Sequence, residues 1–305
     1  MKRILITGGS GLVGTKLSQL LLAQGYEVAH LTRGKDYYQH PQIKTFQWNI
    51  FKQTIDPEAV LFADIIIHLA GASIAKGHWS PKRKNEILKS RVLSTRLLYQ
   101  TLSSVNHKVE AVISASAIGI YGNDTGLALI NEESAPGEDF LANVVVQWEA
   151  EVNKIATLGI RTCILRLGIV LAKEGGALPQ LVNPIKWWVG SPLGTGNQIM
   201  SWIHIDDLCH LFLFAIENTT VKGVYNAVAP NPVANTEMMQ TIARKLHKPL
   251  FLPKVPAFVL RFIMGEMSQI VLGGNKVSAD KIIQSGFKFK YPQLSLALKN
   301  ILKNE

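Results

Sequence analysis

Gly8, Gly11 and Gly14 recur at intervals of three directly behind the apolar run Ile4, Leu5 and Ile6. The run reads as a strand. The residues after it, with Leu17, Leu20 and Leu21 on one face, read as a helix that stops near Gly25. A helix N-terminus entered through a glycine turn presents unpaired N–H groups and the positive end of the helix dipole, so it favours an anion. Glycine suits the turn because the backbone bends sharply and must approach phosphate oxygens without an intervening Cβ. Thr7, Gly8, Gly9, Ser10, Gly11, Leu12, Val13 and Gly14 are therefore the expected holders of a dinucleotide pyrophosphate.

An acidic residue ~20 positions beyond such glycines, at the end of the second strand, would bond a ribose 2′-hydroxyl and select NAD. The chain instead carries Leu31-Thr32-Arg33-Gly34 at that place. Arg33 can pair with a 2′-phosphate through charge-assisted bonds, Thr32 can donate another, and Lys35 stands close by. NADP is the expected cofactor, ahead of NAD. Asn49 is a candidate polar contact for the adenine.

Alternating strands and helices must position these groups. Residues 27–32, 64–70, 109–115 and 160–167 read as strands, the second a continuous apolar run suited to a sheet buried on both faces. Ser80-Pro81 reads as an N-cap followed by a first-turn proline, opening a helix with Leu88, Val92, Thr95, Leu98 and Leu102 at helical spacing. A further helix covers 140–158. The expected fold class is α/β, a Rossmann doubly wound parallel sheet. Beyond Gly168, glycine and proline punctuation rises, with a helix near 206–217, a strand near 223–228 and mostly helix after that. Residues 1–170 are thus expected to form the dinucleotide-binding domain. Residues 171–305 are expected to form a smaller, mainly helical C-terminal substrate lobe interleaved with the sheet.

Bulk properties narrow the partners. Two cysteines, Cys163 and Cys209, give no disulfide framework and imply a reducing compartment. No segment approaches the ~20 apolar residues of a membrane span, and the opening Met-Lys-Arg-Ile-Leu-Ile ends at once in Thr7-Gly8-Gly9. A cytoplasmic location with no membrane partner follows. The net charge is +10, but the basic residues are scattered, and Lys82-Arg83-Lys84 is the only tight run. Nucleic acid is not expected; a positive field attracts phosphorylated small molecules equally well. Isolated His68, His78 and His204 lack the spacing of a zinc site, so no metal is expected.

Together these motifs resemble the extended short-chain dehydrogenase/reductase superfamily of sugar-nucleotide epimerase and dehydratase type. The glycine turn, His68-Leu69-Ala70-Gly71-Ala72, and Ser114-Ala115-Ser116-Ala117-Ile118-Gly119-Ile120-Tyr121-Gly122 carry the resemblance. A narrower likeness to an atypical epimerase-like subfamily rests on Gly77-His78-Trp79, Ser90-Arg91, Trp148-Glu149, Leu165-Arg166-Leu167-Gly168 and Ser201-Trp202-Ile203-His204-Ile205-Asp206-Asp207. It extends to a tail containing Gly265-Glu266-Met267 and Gly286-Phe287-Lys288-Phe289. The resemblance implies that Leu69, Ala70, Gly71 and Arg91 also face the cofactor, and that a small-molecule substrate lies between core and lobe. A homodimer is the candidate assembly.

Enzymes of that superfamily typically use a tyrosine whose pKa is lowered by a lysine four residues on, beside a serine that polarises the substrate oxygen. No tyrosine of this chain has a lysine four residues later. Counting back from Arg166, Leu141 stands for the tyrosine and Val145 for the lysine; with Trp148 and Val152 they share one apolar helix face. Ser116, with Ser114 as the alternative, and Tyr121 remain as catalytic candidates. Tyr121 would act as a donor or acid, because without a cation its pKa stays near ~10. Glu149 is a possible base that helix placement makes more apt to face solvent or pair with a neighbour. Arg166, at the carboxyl edge, is expected to meet an anionic substrate. The resemblance implies that His204 lies in a segment that closes over the substrate and helps hold the lobe, with proton transfer as its alternative role; Trp202, like Trp79, Trp187 and Trp188, is an aromatic candidate for ring stacking. Asp206 and Asp207 are expected to cap the next helix.

Overall fold

A computed structural model describes residues 2–34 and 40–303. Lys35 lies outside the described residues. The first half runs β1 (Arg3–Thr7), α1 (Leu12–Ala23), β2 (Glu27–Thr32), β3 (Ile43–Asn49), β4 (Thr54–Ile55), α2 (Pro57–Phe62), β5 (Ile65–His68), α3 (Pro81–Ser104) and β6 (Ala111–Ala117). Then come β7 (Leu129–Ile130), α4 (Phe140–Ala156), β8 (Arg161–Leu167), β9 (Ile169–Leu171), α5 (Leu178–Lys186), β10 (Ile199–Met200), β11 (Trp202–His204), α6 (Ile205–Glu217) and β12 (Gly223–Ala227). The remainder is β13 (Val233–Ala234), α7 (Asn235–Lys245), α8 (Ala257–Met264), α9 (Gln269–Leu272), β14 (Lys276–Val277), α10 (Asp280–Gln284) and α11 (Leu294–Ile301).

Eight strands form the central sheet in the order β12-β8-β6-β5-β1-β2-β3-β4. All neighbours are parallel except the short β3–β4 pair. The chain runs outward from β1 through β2 and β3, then restarts on the other side of β1 at β5. That reversal leaves a crevice beyond the carboxyl ends of β1 and β5, the usual ligand position in open α/β sheets.

Burial on both faces explains the apolar strands. Ile4, Leu5, Ile6, Ile65, Ile66 and Ile67 are all fully buried, under helices on either side. Side chains cap the long helices. Ser80 accepts from the Arg83 N–H and Asp139 from the Ala142 N–H, each satisfying one orphan donor. β5 ends at His68, short of residue 70, because the Leu69 and Ala70 N–H groups turn to the Thr7 hydroxyl. β6 runs two residues further than the apolar pattern implies, since Ser116 and Ala117 keep register with Arg166 and Leu167.

The C-terminal region has its own core, in which Trp202, Leu178, Ile185, Met238, Ile242 and Leu298 pack together. It also supplies β12, which pairs in parallel with β8 inside the central sheet. The expected caps of α6 are corrected: the His204 imidazole accepts from the Asp206 N–H and is the cap. Asp207 instead accepts from the Lys290 and Tyr291 N–H groups, tying α6 to the tail. No helix of the described residues is long and apolar enough to cross a membrane.

Candidate functional site

The glycine turn is a backbone cradle with no room for side chains. Gly8 has φ +70°, and a Cβ there would stand 2.8 Å from the Leu69 carbonyl oxygen. A Cβ on Gly9 would enter the His30 ring at 2.5 Å, and one on Gly14 would lie 2.5 Å from the Gly8 oxygen. The Gly11 N–H donates to the Gly8 carbonyl at 3.0 Å, closing the turn. Gly11 is also the N-cap of α1, and no side chain caps that helix. The first-turn N–H groups at Leu12, Val13 and Gly14 are therefore of the kind that bind phosphate. Ser10 is exposed at the tip.

Thr7 does a different job. Its buried hydroxyl accepts from the Leu69 and Ala70 N–H groups, both at 3.1 Å, and lies 2.7 Å from His68 Nδ1. Because Thr7 already accepts twice, its proton goes to Nδ1. That leaves Nε2–H to donate to Thr95, whose own proton goes to the Arg91 carbonyl. Complete burial, aided by Arg91, pushes His68 down to about 3, so the ring is neutral. The pair locks the ends of β1 and β5 together.

Arg91 lies behind Gly71, its guanidinium carbon 3.1 Å from where a Cβ would be. It donates to the Ala72 and Ile87 carbonyls and stands 5.3 Å above the Trp148 ring. Burial and then Arg83 lower its pKa to about 10. No carboxylate pairs with it among the described residues. Arg33, at the end of β2, is exposed. The Thr32 hydroxyl donates to the Gly34 carbonyl at 3.1 Å, within its own turn. The Asn49 side chain accepts from the Phe51 and Lys52 N–H groups, shaping a turn of its own.

The catalytic candidates converge, but on one another. Ser116 on β6 donates to Glu149 Oε1 at 2.5 Å. Arg166 on β8 grips Glu149 with Nε at 2.9 Å and Nη2 at 2.8 Å, a buried two-point pair. Its Nη1 donates to the Tyr121 hydroxyl at 2.9 Å, and Tyr121 donates to Asn226 Oδ1 at 2.7 Å. Burial raises the Tyr121 pKa, against the pull of Arg166. Burial likewise opposes the Arg166 charge, yet the Glu149 hydrogen bonds hold its pKa above the ordinary value.

Several expectations change accordingly. Arg166 is not free for a substrate anion: it is buried and committed to Glu149, Tyr121 and the Glu132 carbonyl. Glu149 is buried and tied to its neighbours Ser116 and Arg166, the second of the two placements expected for it. Ser114 donates to the Ala115 carbonyl and stays outside the cluster. Trp202 is fully buried with Nε1 on the Asn231 carbonyl. His204 is stacked at 3.9 Å on Tyr291 and bonded to Asn300, so both hold the lobe. Trp79 is buried against Phe140, whereas Trp187 and Trp188 are exposed. Leu141 and Val145 pack in apolar clusters, Val145 fully within the main core. Sequence reasoning missed Asn226 and Glu132, whose carboxylate accepts from the Asn226 N–H. They join Tyr121 from distant positions, and no local pattern marks them.

Beyond Tyr121, Asn123 faces the C-terminal lobe across an open cavity of ≈ 400 Å³ lined by Arg261, Glu266, Ser268 and Gln269. Lys84 on α3 pairs with Glu266, one of the lining residues. Among the described residues no group of His, Cys, Asp or Glu could hold a metal ion.

Comparisons with known proteins place the chain among relatives of the same fold. Residues 4–227 match the NAD dependent epimerase/dehydratase family, and residues 255–301 match a domain of unknown function, DUF1731. The epimerase family protein YfhF of Bacillus subtilis is 38% identical over 300 residues, spanning 98% of this chain and 97% of that protein. The crystal structure of human epimerase family protein SDR39U1 with NADPH superposes with a TM-score of 0.87 at 30% identity, covering 99% of this chain and 100% of that one. A UDP-glucuronic acid 4-epimerase from Bacillus cereus, solved with UDP-glucuronic acid and NAD, shares the fold at a TM-score of 0.80 and 17% identity, over 99% and 98% of the two chains. With its Rossmann core and extended short-chain dehydrogenase/reductase fold, the chain belongs to the NAD dependent epimerase/dehydratase family.

Proposed function

We propose that the chain binds NADP(H) along the carboxyl edge of β1, β2 and β5 and carries out hydride exchange on a small molecule of sugar-nucleotide or related carbonyl type. The substrate lies between the sheet and the C-terminal lobe, in a reducing cytoplasm that suits two buried, unpaired cysteines. The observation that carries the reading is the cradle at Gly8, Gly9 and Gly14, where any Cβ would strike backbone or the His30 ring. When bound, a nicotinamide supplies a hydride donor or acceptor. Arg33, exposed where NAD-selecting proteins carry a carboxylate, supports the 2′-phosphate preference. The NADPH of the human relative supports it too. Arg91, half-buried and with no carboxylate partner among the described residues, supplies positive charge beside Gly71 for a ligand phosphate.

On the substrate side, Ser116 gives its proton to Glu149 and keeps lone pairs with which to accept from a substrate hydroxyl. Tyr121, kept neutral by burial and accepting from Arg166, is suited to donating a hydrogen bond and not to acting as a base. The same bonds favour a second reading, a non-catalytic NADP(H)-binding sensor, because the hydroxyl protons of Ser116 and Tyr121 are both already committed.

Fluorescence titration with NADPH and NADH, followed by a panel of nucleotide sugars and carbonyl compounds, tests both readings. Tighter NADPH binding is expected, with substrate-dependent oxidation lost in Ser116→Ala and Tyr121→Phe. Equal binding of the two cofactors overturns the NADP preference. Tight NADPH binding with no turnover across the panel selects the sensor.

A further inference from the structure

Around α8 the C-terminal lobe carries an unusual surface. Helix α8 reads Ala-Phe-Val-Leu-Arg-Phe-Ile-Met, yet of its eight residues only Leu260 is buried. Phe258 is 71% exposed, Phe262 90% and Ile263 61%, so the apolar stripe of the helix points to solvent. Phe251 and Leu252, just before it, are also exposed, as are Trp187, Trp188 and Val189 at the end of α5. The two segments are joined: Lys248 stands 4.3 Å over the Trp188 ring, and Ser191 donates to the Leu252 and Pro253 carbonyls. Trp188 is held at φ +63°, a left-handed conformation that a bulky residue rarely adopts. Isolated exposed apolar residues need no explanation, but a connected group of this size marks a binding surface.

Charge identifies the partner. From Arg244 to Gly265 the chain carries Arg244, Lys245, Lys248, Lys254 and Arg261 and not one carboxylate. Residues 175–205 likewise contain no carboxylate. A second copy meeting this same face about a two-fold axis would bring cations against cations. Exposed tryptophan and phenylalanine interleaved with lysine and arginine is the chemistry of the boundary between anionic headgroups and acyl chains, where rings sit at headgroup depth and cations meet lipid phosphate. We infer that α8, with residues 187–189 and 248–254, is a peripheral docking surface for an anionic lipid membrane. The chain would lie on the bilayer without crossing it, which departs from the expectation of no membrane partner drawn from hydropathy along the chain.

Flotation of the full chain with vesicles tests this, using phosphatidylcholine alone and phosphatidylcholine with about one-third phosphatidylglycerol. Co-flotation is expected only with the anionic vesicles, weakening as salt rises. The double variant Phe258→Ser/Phe262→Ser keeps every charge and is expected to reduce co-flotation by about tenfold, with Lys248→Glu reducing it less. Unchanged circular dichroism and NADPH affinity in these variants establish that the fold is intact. Absence of the chain from the anionic vesicle fraction overturns the inference. So does undiminished binding by the double serine variant, which would make the attraction a matter of the overall net charge. If the surface instead captures a water-soluble acidic protein while ignoring both vesicle types, the lipid assignment is wrong.

Discussion

The glycine turn and the Ser116–Asn226 cluster are both polar sites at the carboxyl edge of one sheet, but they are built from different material. The turn is made of backbone: its specificity lies in atoms that must be missing, at Gly8, Gly9 and Gly14. The cluster is made of side chains from β6, β8, β12 and α4, each satisfied by another. A site built from backbone leaves its donors open to a ligand. A site built from mutually bonded side chains is closed until something replaces a partner. That contrast separates the proposed nucleotide cradle from the closed cluster beside it.

The largest blow to the contrast falls on the closed cluster. Arg166→Met strands Glu149 as an unpaired buried carboxylate and should cost about 3–5 kcal/mol in denaturant unfolding, with Glu149→Leu/Arg166→Met recovering most of it. A loss below about 1 kcal/mol would mean that the cluster is open to water and not closed.

Next comes acid. His68 is neutral when folded, held down to about 3, whereas an unfolded histidine protonates near 6.5. Below pH 6.5 the unfolded chain therefore binds a proton that the folded chain refuses, and stability falls as pH falls. The loss is about 1.4 kcal/mol per unit, or about 3 kcal/mol by pH 4.5. His30, lowered to about 4, adds in the same direction. Comparing the wild type with His68→Asn isolates one of the two: the variant's profile should be flatter between pH 6.5 and 4.5. Parallel profiles would show that the lock between β1 and β5 does not depend on a neutral ring.

Gly8→Ala follows, at about 1–3 kcal/mol for a strained left-handed residue pressed on the Leu69 carbonyl, accompanied by weaker NADPH binding in a calorimetric titration. Unaltered affinity would move the phosphate away from the turn. The smallest effect is Arg33→Ala, which should weaken NADPH about tenfold and leave NADH alone. Equal losses for both cofactors would make Arg33 a general attractor and not a reader of the 2′-phosphate.

This contrast also accounts for how much the chain discloses before it is folded. The turn is local, so spacing exposes it within fourteen residues. Strands and helices follow from apolar patterning and from caps such as Ser80 and Asp139, whose partners lie three positions on. What escapes is set by distance along the chain. Asp207 resembles a cap until the tail, more than eighty positions later, claims its carboxylate. Tyr121 looks available until Asn226 arrives from β12. Arg166 and Glu149 are readable as two candidate reactive groups, but nothing local says that each neutralises the other.

The position of β12 has a consequence for how the protein is made. The family match ends at residue 227, which is also the last residue of the strand that completes the central sheet. Until that stretch leaves the ribosome, β8 is an unprotected edge with open N–H and C=O groups, a template for pairing with other chains. A fragment cut near residue 170 would keep the glycine turn and Arg33 yet be prone to aggregate. Synthesis of the chain thus has a vulnerable interval, closed only when the segment after α6 docks.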